Sequence, residues 1–361
     1  MKKVLFIVHD INAGGIENYL LRFLRFYDGK IIPTVLCKSG ALGVLEKEYQ
    51  QIQNITLVPF KLGFFDVGGY WRFYHYLRKH SFDTVVDFGG NFAGLSMLIA
   101  KWAGIDKRIT FYRGASNHFK ETTLKLLYNN FLNRIVYRYA TSVLSNSKSA
   151  FSYFFKNKID HRFQVIYNGI QSESFLNDTS TLRDILHIPK EAFVVSHVGR
   201  FTKEKNHQAI IEVASVLCHK YSNIYFVLCG KEVDTSLKDS LVQKNLQEKV
   251  KLLPFRKDVI KVLNSSQLFY FPSYTEGQPN ALIEAMVAGL AFVASSIDPI
   301  KETVPTDFHH LLVEPDDVRR ASEMIEFFYL NPDKLETVNL SSWAIEQYDA
   351  QTQFDKFYKK L

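Results

Sequence analysis

Two glutamates, Glu276 and Glu284, stand eight residues apart in the stretch SYTEGQPNALIEAMVAGLAF. Residues facing one core from one helix recur at intervals of three, four or seven. An interval of eight with Gly277 and Pro279 inside it places the first carboxylate in a loop and the second on the following helix. Pro279 suits a first helical position and Gly289 a C-terminal cap, which predicts a helix over about 279–288. The free N–H groups at its start favour an anion. Glu284 lies roughly 7 Å along the axis at 1.5 Å per residue. A diphosphate at the helix start would therefore have a carboxylate on each side, and each could accept hydrogen bonds from sugar hydroxyls. The plainer reading makes Glu276 a complement to the helix dipole and Glu284 a solvated side chain. Against it, Glu284 sits among Ala281, Leu282, Ile283, Ala285, Met286 and Val287, where a carboxylate is usually paired or functional.

Two further segments offer groups for an anion. In GRFTKEKNHQAI, Arg200 and Lys205 lie five apart across a turn that leads into a helix. The planar fork of an arginine and the mobile point charge of a lysine suit a diphosphate. In HDINAGGIENYLLRFL, Gly14 and Gly15 precede a helix with apolar Ile16, Leu20, Phe23 and Leu24. Such a pair lets backbone approach a ligand, or simply makes a tight strand-to-helix turn. The spacing is not GxGxxG and no acid is placed for a ribose, which argues against a nicotinamide-binding domain.

These residues need elements that place them after strands. Short β-branched runs at 3–8, 31–37, 55–60, 83–89 and 108–113 alternate with helical patterns. Residues 142–150 read as a strand entering a capped helix, and 162–170 close the first half. The pattern restarts with strands at 193–199, 224–230, 249–255, 268–273 and 291–296. Strand–helix alternation predicts parallel sheets covered on both faces, and two series predict two doubly wound α/β domains facing a cleft. The join is expected within 168–184. Ligands on such sheets bind beyond the carboxyl ends of the strands, where the groups above stand.

Composition narrows the class. A chain of 361 residues, 47% hydrophobic, fits two ordinary cores. Cys37, Cys218 and Cys229 form no CxxC pair, so neither a disulfide framework nor a zinc site is expected, and a reducing cytoplasm is the economical reading. The apolar run of MKKVLFIVHD is too short for a signal peptide and reads as a buried strand. No run approaches the ~18 apolar residues of a membrane span. Residues 1–175 carry 23 Lys and Arg against 12 Asp and Glu, whereas the remainder carries 21 against 25. The basic half suits an anionic partner such as a phospholipid surface or a pyrophosphate-bearing substrate, or is ordinary solvated lysine. No nucleic-acid module is recognisable.

The segment EGQPNALIEAMVAG resembles the E-x7-E signature of retaining GT-B glycosyltransferases of the family 4 type, the glycosyl transferases group 1. VGRFTKEKNHQAIIEV resembles the phosphate-binding segment of that family, VIYNGIQSESF its domain junction and AGGIENYLLRFL its N-terminal glycine loop. The resemblance extends from about Lys3 to Pro315. It implies a GT-B fold of two Rossmann-like domains: an acceptor-binding domain over 1–168, a nucleotide-sugar-binding domain over 169–340, and a C-terminal helix over 341–361 returning to the first. By the same resemblance Arg200 and Lys205 would hold the donor diphosphate, Glu276 the donor sugar and Glu284 the ribose. Arg200, Lys205 and Glu276 would thus carry the catalytic roles. Gly15 would offer its N–H to the phosphates, and Gly277, Gln278, Asn280 and Ala281 would complete the donor pocket. Phe255 and Arg256 lie where family members hold the nucleobase. Many members carry a histidine after the strand that here reads RITFYRG, and Phe111 takes that position. Arg113 would then stabilise charge or hold an acceptor phosphate, and His118 nearby is a further candidate at the acceptor or an incidental loop residue.

The implied reaction is retaining transfer from a UDP- or GDP-sugar to a glycan acceptor, lipid-linked, in surface polysaccharide assembly. The chain contains no Asp-x-Asp motif, so no metal or other cofactor is expected; cations and N–H dipoles would stabilise the leaving diphosphate. On residues 70–80, Trp71, Arg72, His75, Arg78 and Lys79 fall largely opposite Tyr70, Phe73, Tyr74 and Leu77, a basic aromatic face suited to an anionic membrane surface or to a snorkelling core helix. Competing readings are a nucleotide-sugar epimerase or phosphorylase on the same fold, and a non-catalytic nucleotide-sugar-binding module.

Overall fold

The computed structural model describes residues 1–63, 66–114, 122–156 and 158–361. The described residues divide into two compact units, 1–168 with 351–361, and 169–350. The first unit is built on seven parallel strands: β1 (Lys2–Val8), β2 (Ile31–Cys37), β3 (Thr56–Pro59), β4 (Thr84–Asp87), β5 (Lys107–Tyr112), β6 (Ser142–Ser145) and β7 (Phe163–Val165), in the order β3-β2-β1-β4-β5-β6-β7. The second holds six: β8 (Phe193–Val198), β9 (Ile224–Cys229), β10 (Val250–Leu253), β11 (Leu268–Phe271), β12 (Ala291–Ser295) and β13 (Leu312–Val313), in the order β10-β9-β8-β11-β12-β13. Both are doubly wound sheets, as the alternation predicts; the inner strands are near-continuous apolar runs, whereas the edge strands β3 and β7 are only partly buried.

In the first unit, helix α1 (Gly15–Phe26) buries Tyr19, Leu20, Phe23 and Leu24. Helices α2 (Val67–His80), α3 (Gly94–Trp102) and α4 (Thr123–Tyr139) pack side by side, with Phe73, Leu77, Met97 and Val136 in one core. The predicted division of residues 70–80 holds: Phe73 and Leu77 are buried, while Trp71, Arg72, His75, Arg78 and Lys79 are exposed.

In the second unit, α5 (His207–Lys220) follows β8, α6 (Asn280–Val287) follows β11, and α7 (Val318–Leu330) packs beside α5. The helix expected over 341–361 is two helices. The first, α8 (Ser341–Tyr348), stays in the second unit, where Ser341 Oγ donates to the Val287 carbonyl at 2.7 Å and Tyr348 Oη to that of Thr303 at 2.9 Å. The second, α9 (Ala350–Tyr358), carries Phe354 and Phe357 onto Tyr19 and Phe23 of the first unit, with Phe357 4.6 Å from Phe23.

Candidate functional site

Within the second unit the sheet delivers two loops to one place. After β8 the chain runs through Gly199 and Arg200, and after β9 it passes Gly230 so closely that a Cβ there would lie 2.0 Å from the Gly199 carbonyl oxygen. Only a glycine at 230 permits that approach. A short 3₁₀ turn over Lys203–Lys205 then leads to Asn206, which takes the left-handed conformation (φ 52°) and caps α5 by accepting from Ala209 N at 3.3 Å. That cap fixes where Lys205 leaves the turn.

The loop after β11 is tied to the same turn, since Tyr274 N donates to the Glu204 carbonyl at 2.8 Å. The tie brings Glu276 to Lys205, and Lys205 Nζ donates to Glu276 Oε1 at 2.6 Å. Both side chains are largely withdrawn from water, 19% and 10% exposed. The ammonium also lies 4.7 Å from the Phe271 ring centroid. Beneath it, His197 stacks on Phe271 and meets the His207 ring edge-on at 5.0 Å. Burial first, then the charge of Lys205, pushes His207 down to about 4, so both rings are neutral at pH 7 beside a lysine cation.

Helix α6 begins one residue later than expected. Pro279 occupies the capping position and Asn280 the first turn. Gly289 closes the helix at φ 80°, with Gly289 N on the Met286 carbonyl and Leu290 N on that of Ala285, both at 3.0 Å, the paired bonds of a Schellman cap. Glu276 thus lies in the loop before α6, together with Gly277 and the buried Gln278. Ala281 and Glu284 lie on the helix, both half-buried. Arg200 is exposed at the mouth of the β8 loop. Phe255 and Arg256 follow β10: the phenyl ring is exposed, and Arg256 clasps Asp258 through Nε at 2.9 Å and Nη2 at 2.7 Å.

In the first unit Gly15 opens α1, and a Cβ there would meet nothing within 4 Å. Phe111 is buried against Tyr19, Phe88 and Phe357 and is a core residue. Arg113 follows β5 with its guanidinium carbon 4.0 Å from the Tyr19 ring centroid and 4.9 Å from that of Phe111. Burial lowers it to about 10, so it remains a cation at neutral pH. His118 lies outside the described residues. Sequence reasoning missed the pair Lys38 and Asp87, which meet at 2.6 Å with the carboxylate only 1% exposed. Lys38 follows β2 and Asp87 ends β4, so the strand-end rule reaches both residues, but their meeting depends on the β2-β1-β4 order.

Comparison with known proteins matches residues 13–174 to the profile described as Glycosyltransferase Family 4 and residues 178–340 to that described as Glycosyl transferases group 1. The chain belongs to the family 4, group 1 glycosyltransferases. Its fold is GT-B: the structure of Anabaena HepE in complex with UDP and glucose superposes with a TM-score of 0.81 at 20% identity over 99% of both chains. Among curated relatives, an Escherichia coli UDP-Gal:α-D-GlcNAc-diphosphoundecaprenol α-1,3-galactosyltransferase is 25% identical over 74% of this glycosyltransferase and 70% of the relative. The Staphylococcus aureus capsular polysaccharide biosynthesis glycosyltransferase CapH is 25% identical over 82% of each chain.

Proposed function

We propose that this glycosyltransferase moves a sugar, with retention and without a metal, from a UDP- or GDP-sugar to a lipid-linked glycan acceptor in surface polysaccharide assembly, with 1–168 as the acceptor-binding part and 169–340 as the donor-binding part. The observation that carries the donor site is the 2.6 Å pair between Lys205 and Glu276 at the entrance to α6. With no donor bound, each residue holds the charge that the other needs. A nucleoside diphosphate sugar offers Lys205 a diphosphate and Glu276 a set of hydroxyls, so both partners exchange one charge-assisted bond for another. Arg200 adds a second cation, and the positive end of the α6 dipole adds a fixed partial charge. These groups oppose the negative charge that develops on the leaving diphosphate, which is what this step demands of a site. Glu284, further along α6, is the candidate for the ribose hydroxyls. A diphosphate oxygen takes the proton of the incoming acceptor hydroxyl. The relatives above are named for a diphosphoundecaprenol acceptor and for capsule synthesis, and these names support the same acceptor class here.

The test is thermal stabilisation by UDP, GDP and their sugars in the presence of EDTA. One of them should raise the melting temperature of the wild type, and Arg200→Ala and Lys205→Met should abolish the shift. Glu276→Gln should stay folded yet lose transfer by about a hundredfold or more, the scale of one transition-state contact. No stabilisation by any nucleotide would sink the reading, and donor consumption without acceptor would replace it with an epimerase.

A further inference from the structure

The first unit contains a cavity of about 380 Å³ at the carboxyl end of β1, β2 and β4, within the range of about 300–1,000 Å³ usual for small-molecule sites. Its apolar wall includes Tyr70, Phe88 and Phe92. Its ionic lining is Lys38, Lys61, Glu17 and Asp87, two cations against two carboxylates that cancel formally, with the His9 imidazole beside them. Asp87 is held rigidly, with one oxygen taking the Lys38 ammonium at 2.6 Å and the other the Gly89 N–H at 2.7 Å. A carboxylate has about four acceptor positions and an ammonium three donors, so the pair retains both donors and acceptors. Glu17 adds a half-buried carboxyl group from the first turn of α1, its pKa raised chiefly by burial and by neighbouring Asp10, against the opposing pull of a backbone hydrogen bond, Arg113 and His9.

We propose that this cavity is the seat of one uncharged sugar ring of the acceptor, read by the Lys38–Asp87 pair and Glu17 and stacked on its aromatic wall. This rests on the reading of the chain as a transferase with a glycan acceptor. Hydroxyls both donate and accept, which matches a locked ammonium–carboxylate pair. The apolar C–H face of a pyranose matches the aromatic side. A phosphate or a uronate would instead bring a second negative charge against the buried Asp87 and against Glu17, while the lining cations Lys38 and Lys61 are already matched by those two carboxylates. The site therefore selects a neutral sugar and rejects an acidic one.

Saturation-transfer NMR on the full chain tests this with methyl glycosides of glucose, galactose and N-acetylglucosamine, set against methyl glucuronide and glucose 6-phosphate. At least one neutral glycoside should bind, about tenfold more tightly than either charged probe. Ser39→Trp, which fills the cavity from its lining, should weaken that binding about tenfold or more. So should the double change Lys38→Met with Asp87→Asn, which leaves no buried charge unpaired. Binding of UDP and GDP, measured on the same samples, reports the donor reading separately and should be unchanged in both variants. The proposal is overturned if no neutral glycoside binds, if a charged probe binds more tightly, or if neither variant alters binding.

Discussion

At the scale of single residues, the site depends on ionic pairs whose partners are far apart in sequence. Lys205 and Glu276 are separated by 71 positions and meet at 2.6 Å, with little of either side chain in water. Removing one partner strands the other charge. Lys205→Met alone should therefore cost about 1–3 kcal/mol, and the double variant with Glu276→Gln should recover much of it. A double-mutant cycle in urea should give a coupling of about 0.5–3 kcal/mol, and additive single effects would mean that the pair contributes nothing. A second prediction concerns the histidines behind the pair. His207 is 2% exposed, and its value falls from the ordinary 6.5 to about 4. Between those values the unfolded chain binds a proton that the native chain refuses. Stability is then full above about 6.5 and declines as pH falls towards 4, by up to about 1.4 kcal/mol per pH unit from this group. His207→Gln should flatten the stability–pH slope by as much as one proton in that window. An unchanged slope would show that His207 protonates in the folded state.

At the scale of elements, the strand starts were legible because parallel strands buried on both faces are bare runs of Val, Ile, Leu and Phe. Helix α6 was legible from Pro279 and Gly289, apart from a one-residue shift at its start. β13 was not, since Leu312–Val313 is only two residues long and carries no period. The break between α8 and α9 was hidden for another reason: it is set by a bridge between Ile170 and Asp349, remote in sequence, and not by a local breaker. The glycine at 230 belongs to this scale too, since its role arises from two neighbouring strands delivering their loops to one point. Gly230→Ala would push a methyl group into the Gly199 carbonyl and to 3.0 Å from Arg200 N. Moving that backbone should cost about 1–3 kcal/mol and also displace Arg200, so that nucleotide stabilisation falls along with the melting temperature. Gly15→Ala is the control, because its new methyl group meets nothing and should leave stability intact. Equal behaviour of the two variants would remove the steric argument.

At the scale of the whole molecule, the excess of positive charge falls in one unit. Residues 1–168 and 351–361 carry 26 Lys and Arg against 12 Asp and Glu, whereas 169–350 carry 18 against 25. The return of the chain at 351 therefore sharpens an asymmetry already visible in the linear sequence. On this basic unit, α2 exposes Val67 and Trp71 beside Arg72, Arg78 and Lys79. On the other side of α3, α4 exposes Leu124, Leu127 and Phe131, spaced three and four apart, with Arg134 and Arg138 further along. No helix among the described residues is long and apolar enough to cross a membrane. Apolar side chains ringed by cations, however, are the composition of a surface that rests on anionic lipid. Such binding would also bring a lipid-linked acceptor to the unit that holds the neutral cavity. The full chain should float with phosphatidylglycerol vesicles at low salt, float poorly with phosphatidylcholine, and be released as ionic strength rises and the Debye length shrinks. Each basic residue near an anionic surface contributes about 1 kcal/mol, or about fivefold in partition. Arg78→Gln with Lys79→Gln should therefore weaken flotation by about twenty-fivefold while leaving nucleotide binding unchanged. Trp71→Ala with Phe131→Ala should weaken it at every salt concentration, because that contribution is not screened. Flotation that ignores both pairs, or that is equal on neutral vesicles, would remove the membrane surface from the function of this unit.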